Sequence, residues 1–333
     1  MIVVQDPSEL PDDFGDTIVA IGKFDGVHAG HRTIIDHVLL DAVEADARTV
    51  AVTFDRNPLA TIAPEHCPEQ VVGVEQKIDL LAGTGLDAAL VLTFDKELAA
   101  VPAEEFVTRY LVDGLHAKRI LVGEDFRFGR GGKGDPELLR RMGEQYGFTV
   151  AVMADVSSGR DHEPGRRVSS TWIRELLAAG EVERAAKILG HAHAVRGEVV
   201  KGLQRGRELG FPTANLSPDL SGFVPADGVY AGWVAVVPPD GEIATGAQFP
   251  AAISVGTNPT FDDVPERVVE AHVLGRNDLD LYGRTVDVYF SYRIRGMIAF
   301  DGLEPLIAQM HDDVEKALTL LRSRPRAIRG LMA

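Results

Sequence analysis

Two histidines three residues apart, His28 and His31 in IGKFDGVHAGH, stand where an apolar run gives way to a helical pattern. Three chemistries compete for them. Zinc would use two imidazoles but needs a third ligand, and no spacing ties His37 or His66 to the pair. A phosphate would use the helix start itself, because free backbone N–H groups and the positive dipole end attract an anion. Gly30 lets that anion approach the backbone closely. Flanking imidazoles can then donate hydrogen bonds to oxygens that gain charge in phosphoryl or nucleotidyl transfer. The plainest alternative is that both residues only cap a turn and a helix.

A second set of residues lies in KGLQRGRELGFPTANL, residues 201–216. Gly202, Gly206 and Gly210 can wrap a phosphate chain with backbone N–H groups, or simply link two strands. Thr213 and Asn215, two apart on an extended segment, point to the same side. A hydroxyl and an amide oxygen are hard ligands suited to Mg²⁺, which takes further ligands from water and phosphate. Glu270, in RVVEAHVL, reads by itself as a surface glutamate on an alternating strand. GRGGKGD (residues 129–135) is no Walker loop, since glycine follows Lys133, and no G-x-G-x-x-G follows the first strand.

These residues need elements to position them. In the first half TIVAIGKF, RTVAVTF, AALVLTF, KRILVG and TVAVMA alternate with the helical stretches HRTIIDHVLLDAVEAD, VEQKIDLLAG, AEEFVTRYLVDG and DPELLRRMGEQYG. Uniformly apolar strands between helices predict an α/β fold, a doubly wound parallel sheet covered on both faces. Ligands of such sheets bind beyond the carboxyl ends of the strands, where His28 falls. TWIRELLAAGEVERAAKILG is helical and closes this half. The rhythm then changes to AHAVRGEVVKG, GVYAGWVAVV, FPAAISVGT, RVVEAHVL and VDVYFSYRIR, which predict an antiparallel barrel or sandwich. An amphipathic helix, LEPLIAQMHDDVEKALTLLRS, follows. The expected domains are residues 1–186 and 187–333.

Fifty acidic and thirty-four basic residues give a net charge of −16, which repels polyanions such as nucleic acid. The single cysteine, Cys67, excludes an internal disulfide and a cysteine-based zinc cage. No apolar run approaches the ~20 residues that span a bilayer, and MIVVQDPSELPDDFGD lacks the pattern of a signal peptide. These features point to a cytoplasmic protein with no membrane partner. A homo-oligomer is compatible with the sequence.

GKFDGVHAGH resembles the HxGH signature of the nucleotidylyltransferase superfamily, in the G-x-FDGVH-x-GH form of bacterial bifunctional riboflavin kinase/FAD synthetases. TFDRNP (residues 53–58), GEDFRFG (123–129) and RVSSTWIR (167–174) are similar to that family in the same order. GRELGFPTAN (206–215) resembles the riboflavin kinase signature, and ADGVYAGW, SVGTNPTF, VVEAHVL and DLYG continue the likeness. The resemblance implies a nucleotidylyltransferase-like sheet for FMN adenylylation, then a mostly antiparallel β-barrel riboflavin kinase domain with a C-terminal helix. Riboflavin and ATP would give FMN, and FMN with a second ATP would give FAD and pyrophosphate, with Mg²⁺ as cofactor.

By the same resemblance His28 and His31 stabilise adenylyl transfer. Gly22, Phe24, Asp25, Gly30, Ser169, Ser170, Thr171 and Arg174 would bind the nucleotide there, and Asn57, Asp125, Phe126 and Phe128 the flavin. In the second half Gly202, Gly206 and Gly210 would bind ATP, Thr213 and Asn215 the metal, and Arg295 the flavin. Glu270 would take the proton from the ribityl 5′-hydroxyl. Departures from the family pattern are Lys23, Arg56 and Asn57 (for proline and histidine), Gly132 (often arginine) and the uncharged run before Phe300. They keep two alternatives in view: a riboflavin kinase with weak or lost adenylyl transfer, and a non-catalytic flavin-binding regulator.

Overall fold

The structure, a computed structural model, describes residues 1–157, 165–202, 210–238, 248–256, 267–276 and 278–323. Gly206 lies outside these described residues. The chain forms two compact units, residues 1–69 with 74–169, and residues 70–73 with 170–333.

The first unit runs β1 (Ile2–Val4), β2 (Thr17–Ile21), α1 (Ala29–Ala45), β3 (Arg48–Phe54), α2 (Leu59–Ile62), α3 (Val74–Ala82), β4 (Ala88–Leu92), α4 (Lys96–Ala100), α5 (Ala103–Phe106), β5 (Ala117–Gly123), α6 (Pro136–Tyr146) and β6 (Thr149–Met153). Its six strands lie in the order β1-β4-β3-β2-β5-β6, and every pair is parallel. All five expected strands are present; β1 is an additional three-residue edge strand too short to show a pattern. Period-two alternation divides β2 between two cores. Val19 and Ile21 join Phe106, Leu111 and Leu139 on one face, whereas Ile18 and Ala20 meet Ile35, Val38 and Leu81 on the other. Helices therefore cover both faces, as the uninterrupted apolar strands require. α5 continues into a π-helical segment, Val107–Gly114.

The second unit holds α7 (Ser170–Ala178), α8 (Val182–Leu189), β7 (His193–Val200), β8 (Thr213–Leu216), β9 (Gly228–Val236), β10 (Gln248–Gly256), β11 (Val268–Val273), β12 (Thr285–Arg295) and α9 (Leu303–Ser323). Its strands close into a barrel in the order β10-β11-β8-β7-β12-β9, and β9 pairs with β10 to complete it. Every pair is antiparallel. The barrel decides between the two architectures that the alternating runs allowed. α9 lays Ala317 and Leu321 against Ala231 and Leu274 on the barrel wall.

The stretch from Thr171 to Gly190 differs from expectation in two ways. It is two helices, not one, because Gly180 takes a left-handed φ of +76°. Both helices also belong to the second unit and do not close the first. Arg293 of β12 explains this: its guanidinium donates to Ala179 O at 2.8 Å and to Asp227 O at 3.0 Å. The Ala226 N–H donates to Leu177 O at 2.9 Å.

On β7 and β12, Arg196 and Asp287 are directly opposed and form a two-pronged ion pair at 2.7 and 2.9 Å, with side chains 7% and 4% exposed. Removing one partner strands the other charge away from water. Asp287→Asn is expected to lower stability by about 3–5 kcal/mol, read from urea denaturation followed by circular dichroism.

Candidate active sites

In the first sheet the chain passes from β2 outward to β3 and β4, then returns to β5 and β6 on the other side. The switch point lies between β2 and β5, so the loops after these two strands flank one crevice at their carboxyl ends. IGKFDGVHAGH follows β2 and GEDFRFG follows β5, and the fold thus brings together motifs about a hundred residues apart.

His28 is the N-cap of α1, and its Nδ1 accepts a hydrogen bond from the His31 N–H at 3.3 Å. Acceptance requires a bare Nδ1, which puts a His28 ring proton on Nε2. The His31 ring stacks on His28 with centroids 3.7 Å apart and planes 13° apart, and Phe24 meets it edge-on at 5.2 Å. Burial holds the His31 imidazole well below the usual histidine range, and His28, Lys77 and Arg167 push it the same way. Its Nδ1 is buried without a hydrogen-bond partner. Burial therefore favours the uncharged form of the His31 imidazole. Gly30 has a local reason in addition to ligand access: a Cβ there would stand 3.2–3.3 Å from the His28 ring.

The loop is strained. Phe24 and Val27 adopt φ of +48° and +40°, and the Val27 N–H closes a turn on Phe24 O at 3.1 Å. Gly22 sits at the end of β2 with its N–H on Val52 O, and Asp25 is half-buried in the turn. Arg167 pairs with Asp125 at 2.9 Å and Asp155 at 3.0 Å. Together with its influence on His31, this places Asp125 beside the histidine crevice. Phe126 stacks on Phe128 at 5.3 Å, while Phe128 itself is buried against Phe106. Asn57 Oδ1 accepts the Leu59 N–H at 3.1 Å and so supports the turn into α2. Ser169 ends the first unit; Ser170, Thr171 and Arg174 lie on the first turns of α7 in the second.

On the barrel, β8 and β11 set Asn215 opposite Glu270 and Thr213 opposite His272. Asn215 Nδ2 donates to Thr213 Oγ1 at 3.2 Å, and the Thr213 hydroxyl hydrogen-bonds the Glu270 carboxyl. Burial pushes the Glu270 carboxyl up, and the Thr213 hydrogen bond opposes the shift. A raised carboxylate is a better proton acceptor. Hydroxyl, amide oxygen and carboxylate are all hard donors, so the set fits Mg²⁺ completed by phosphate and water oxygens. Among the described residues no group of three His, Cys, Asp or Glu could by itself hold a metal ion. Gly210 carries a φ of +88°, ahead of Phe211, which packs on His272 and His311. Arg295 is held in a fork by Asp313 of α9, at 2.6–3.1 Å, with a further bond to Gly296 O.

Sequence reasoning missed Lys77. Its side chain is buried, donating to Phe54 O at 2.5 Å and Lys23 O at 3.4 Å. The available signal was position, because Lys77 lies four residues before the core residue Leu81 and so shares its helix face. A cavity of about 440 Å³ lined by Asp6, Phe14, Arg109 and His116 opens at the amino ends of the strands, away from the histidines.

Both arrangements are suited to moving phosphorus-containing groups, so the molecule is a two-module transferase of that class. The FAD synthetase family profile matches residues 10–172 and the riboflavin kinase profile residues 189–321. The bifunctional riboflavin kinase/FMN adenylyltransferase of Escherichia coli K12 is 35% identical over 89% of this chain and 90% of its own length. The protein of that name from Pseudomonas fluorescens is 34% identical over 91% and 92%. A crystal structure described as a macrolide-efflux protein from Streptococcus pneumoniae is 31% identical, with a TM-score of 0.80 over 95% of this chain and 98% of that one. Among the described residues no helix is long and apolar enough to cross a membrane. The chain belongs to the family of bifunctional riboflavin kinase/FMN adenylyltransferases.

The row on β8 and β11 needs room at Gly202, where a Cβ would stand 2.6 Å from Asn215 Cγ. Gly202→Ala is expected to swing that amide aside. The Mg²⁺ concentration for half-maximal FMN formation should rise on the order of 10-fold or more, with FAD formation from supplied FMN unchanged, measured by chromatography of the flavins.

Proposed function

We propose that the two activities use separate residues: His28 and His31 in FMN adenylylation, Glu270 with Thr213 and Asn215 in riboflavin phosphorylation. Residues 1–186 are assigned to the first activity and 187–333 to the second. The observation that carries the reading is the stacked histidine pair at the start of α1, in which burial favours the uncharged form of His31. Neutral N–H donors can follow charge as it moves onto phosphate oxygens without first being neutralised by the substrate.

In the first step the riboflavin 5′-hydroxyl attacks the γ-phosphorus of ATP, its proton passing to the Glu270 carboxylate, and ADP leaves. Mg²⁺, held by Thr213 and Asn215, would neutralise charge on the phosphate chain. Gly202, Gly206 and Gly210 are assigned to the same nucleotide. In the second step an FMN phosphate oxygen attacks the α-phosphorus of a second ATP. The bond to the β,γ-phosphates breaks, pyrophosphate leaves and FAD forms. No protein nucleophile is needed, so alignment and donors carry the rate.

Gly22, Phe24, Asp25 and Gly30 are assigned to that ATP through the loop they form, and Ser169, Ser170, Thr171 and Arg174 on family resemblance alone. Asn57, Asp125 and Phe126 are assigned to the flavin. Asn57 spends its oxygen on the turn and keeps its amide N–H₂ for a ligand. Phe128 supports Phe126 from the core, and Arg295 acts on the flavin side of the barrel through the segment it anchors to α9. The protein is read as cytoplasmic, with ATP, riboflavin and FMN as its partners. The net charge of −16 supports the exclusion of nucleic acid.

His31→Ala is expected to abolish FAD formation and leave FMN formation intact, and Glu270→Ala the reverse when FMN is supplied. Flavin products are separated after incubation with ATP and Mg²⁺. Loss of both activities in both folded variants would overturn the two-site assignment.

A further inference from the structure

Burial favours the uncharged form of the His31 imidazole, in a protein whose net charge is −16. Besides His28, the groups whose positive charge acts on His31 are Lys77 and Arg167. Arg167 is exposed and shared between Asp125 and Asp155. Lys77 is 6% exposed and enters from α3. We infer that Lys77 is a positioning residue of adenylyl transfer, clamping the ends of β2 and β3 together beside the histidine pair and supplying the buried positive charge of the phosphate site. The inference rests on the assignment of this reaction to His28 and His31.

The clamp is visible in three hydrogen bonds. Lys77 Nζ reaches Phe54 O, at the end of β3, and Lys23 O, just after β2. Lys23 O also accepts from the buried Thr53 hydroxyl at 3.1 Å. That carbonyl immediately precedes the left-handed Phe24, so two donors fix the point where the strained loop begins. A filler role alone does not account for the residue. An unbranched apolar side chain of similar length would occupy the same space without the cost of burying an ammonium group.

The surrounding charged and titratable groups are Asp25 from the β2–α1 loop, Asp55 after β3, His28 and His31 at the start of α1, and Arg167. Burial lowers the Lys77 ammonium to about 8, and Asp25 and Asp55 oppose the shift. A neutral amine can still donate to both carbonyls. Deprotonation therefore removes the charge and leaves the clamp, which separates the two parts of the role.

The test compares wild type, Lys77→Met and His31→Ala, each assayed for FAD formation from FMN and for FMN formation from riboflavin, with the His31 imidazole titrated by NMR. Lys77→Met is expected to lower kcat for FAD formation by about 10–100-fold, to leave FMN formation unchanged, and to move the His31 titration to higher pH. A folded Lys77→Met with the wild-type FAD rate or an unmoved His31 titration overturns the inference. His31→Ala separates the two failures: if it still makes FAD, the histidine assignment itself is wrong. Should Lys77→Met fail to fold, the wild type decides. Its FAD rate must fall as pH rises through about 8 while its FMN rate does not, and an FAD rate level through that range overturns the role of the charge.

Discussion

Between the end of β2 and the start of α1, Phe24 and Val27 hold backbone in the left-handed region, which costs non-glycine residues on the order of 1–3 kcal/mol each. The turn persists because both side chains are fully buried, at 1% and 0% exposed, against the sheet. Burying two large apolar side chains contributes about 1.5–3 kcal/mol apiece, enough to offset that cost. The remaining geometry of the first site follows from this turn. It delivers His28 to the N-cap of α1, lays His31 against it, and points the Lys23 carbonyl inward. The hydrophobic core of the first unit is thus the support on which its polar groups are aimed.

Burial acts at both sites, with opposite chemical results. Around His31 it disfavours the charged imidazolium and yields a neutral hydrogen-bond donor. Around Glu270 it disfavours the carboxylate and yields a stronger base. The same desolvation serves each because the groups carry opposite charges when ionised.

The sheet of the first unit was legible because buried parallel strands are uniformly apolar, and the histidine crevice because strand-to-helix alternation places such a motif at the carboxyl edge. β1 and β8 were not read as strands. The first has three residues, and the second hides its pattern in TANL, where the polar Thr213 and Asn215 are half-buried opposite His272 and Glu270 and are not simply turned to solvent. The break at Gly180 was hidden by good helix formers on both sides, and only Arg293, more than a hundred residues later, shows which unit the helices join. Lys77 escaped notice because lysine on an amphipathic helix normally marks the wet face. Its inward position depends on carbonyls at the ends of two strands, which residue types alone do not reveal. Asn57, in contrast, was noticed for what it replaces, and the structure adds that its oxygen belongs to the turn into α2.

The grouping of residues 70–73 with the barrel has a consequence for the covalent path. Phe223 N–H donates to Val71 O at 3.1 Å, and Val71 is fully buried, so these four residues are built into the second unit. The backbone consequently passes from one unit to the other at 69/70, returns at 73/74 and crosses again at 169/170. No single cleavage can divide this molecule into its two compact parts. A protease that cuts near residue 170 leaves residues 70–73, part of the barrel unit, on the fragment that carries the first unit. The two units are thus interleaved along the chain, not strung in tandem.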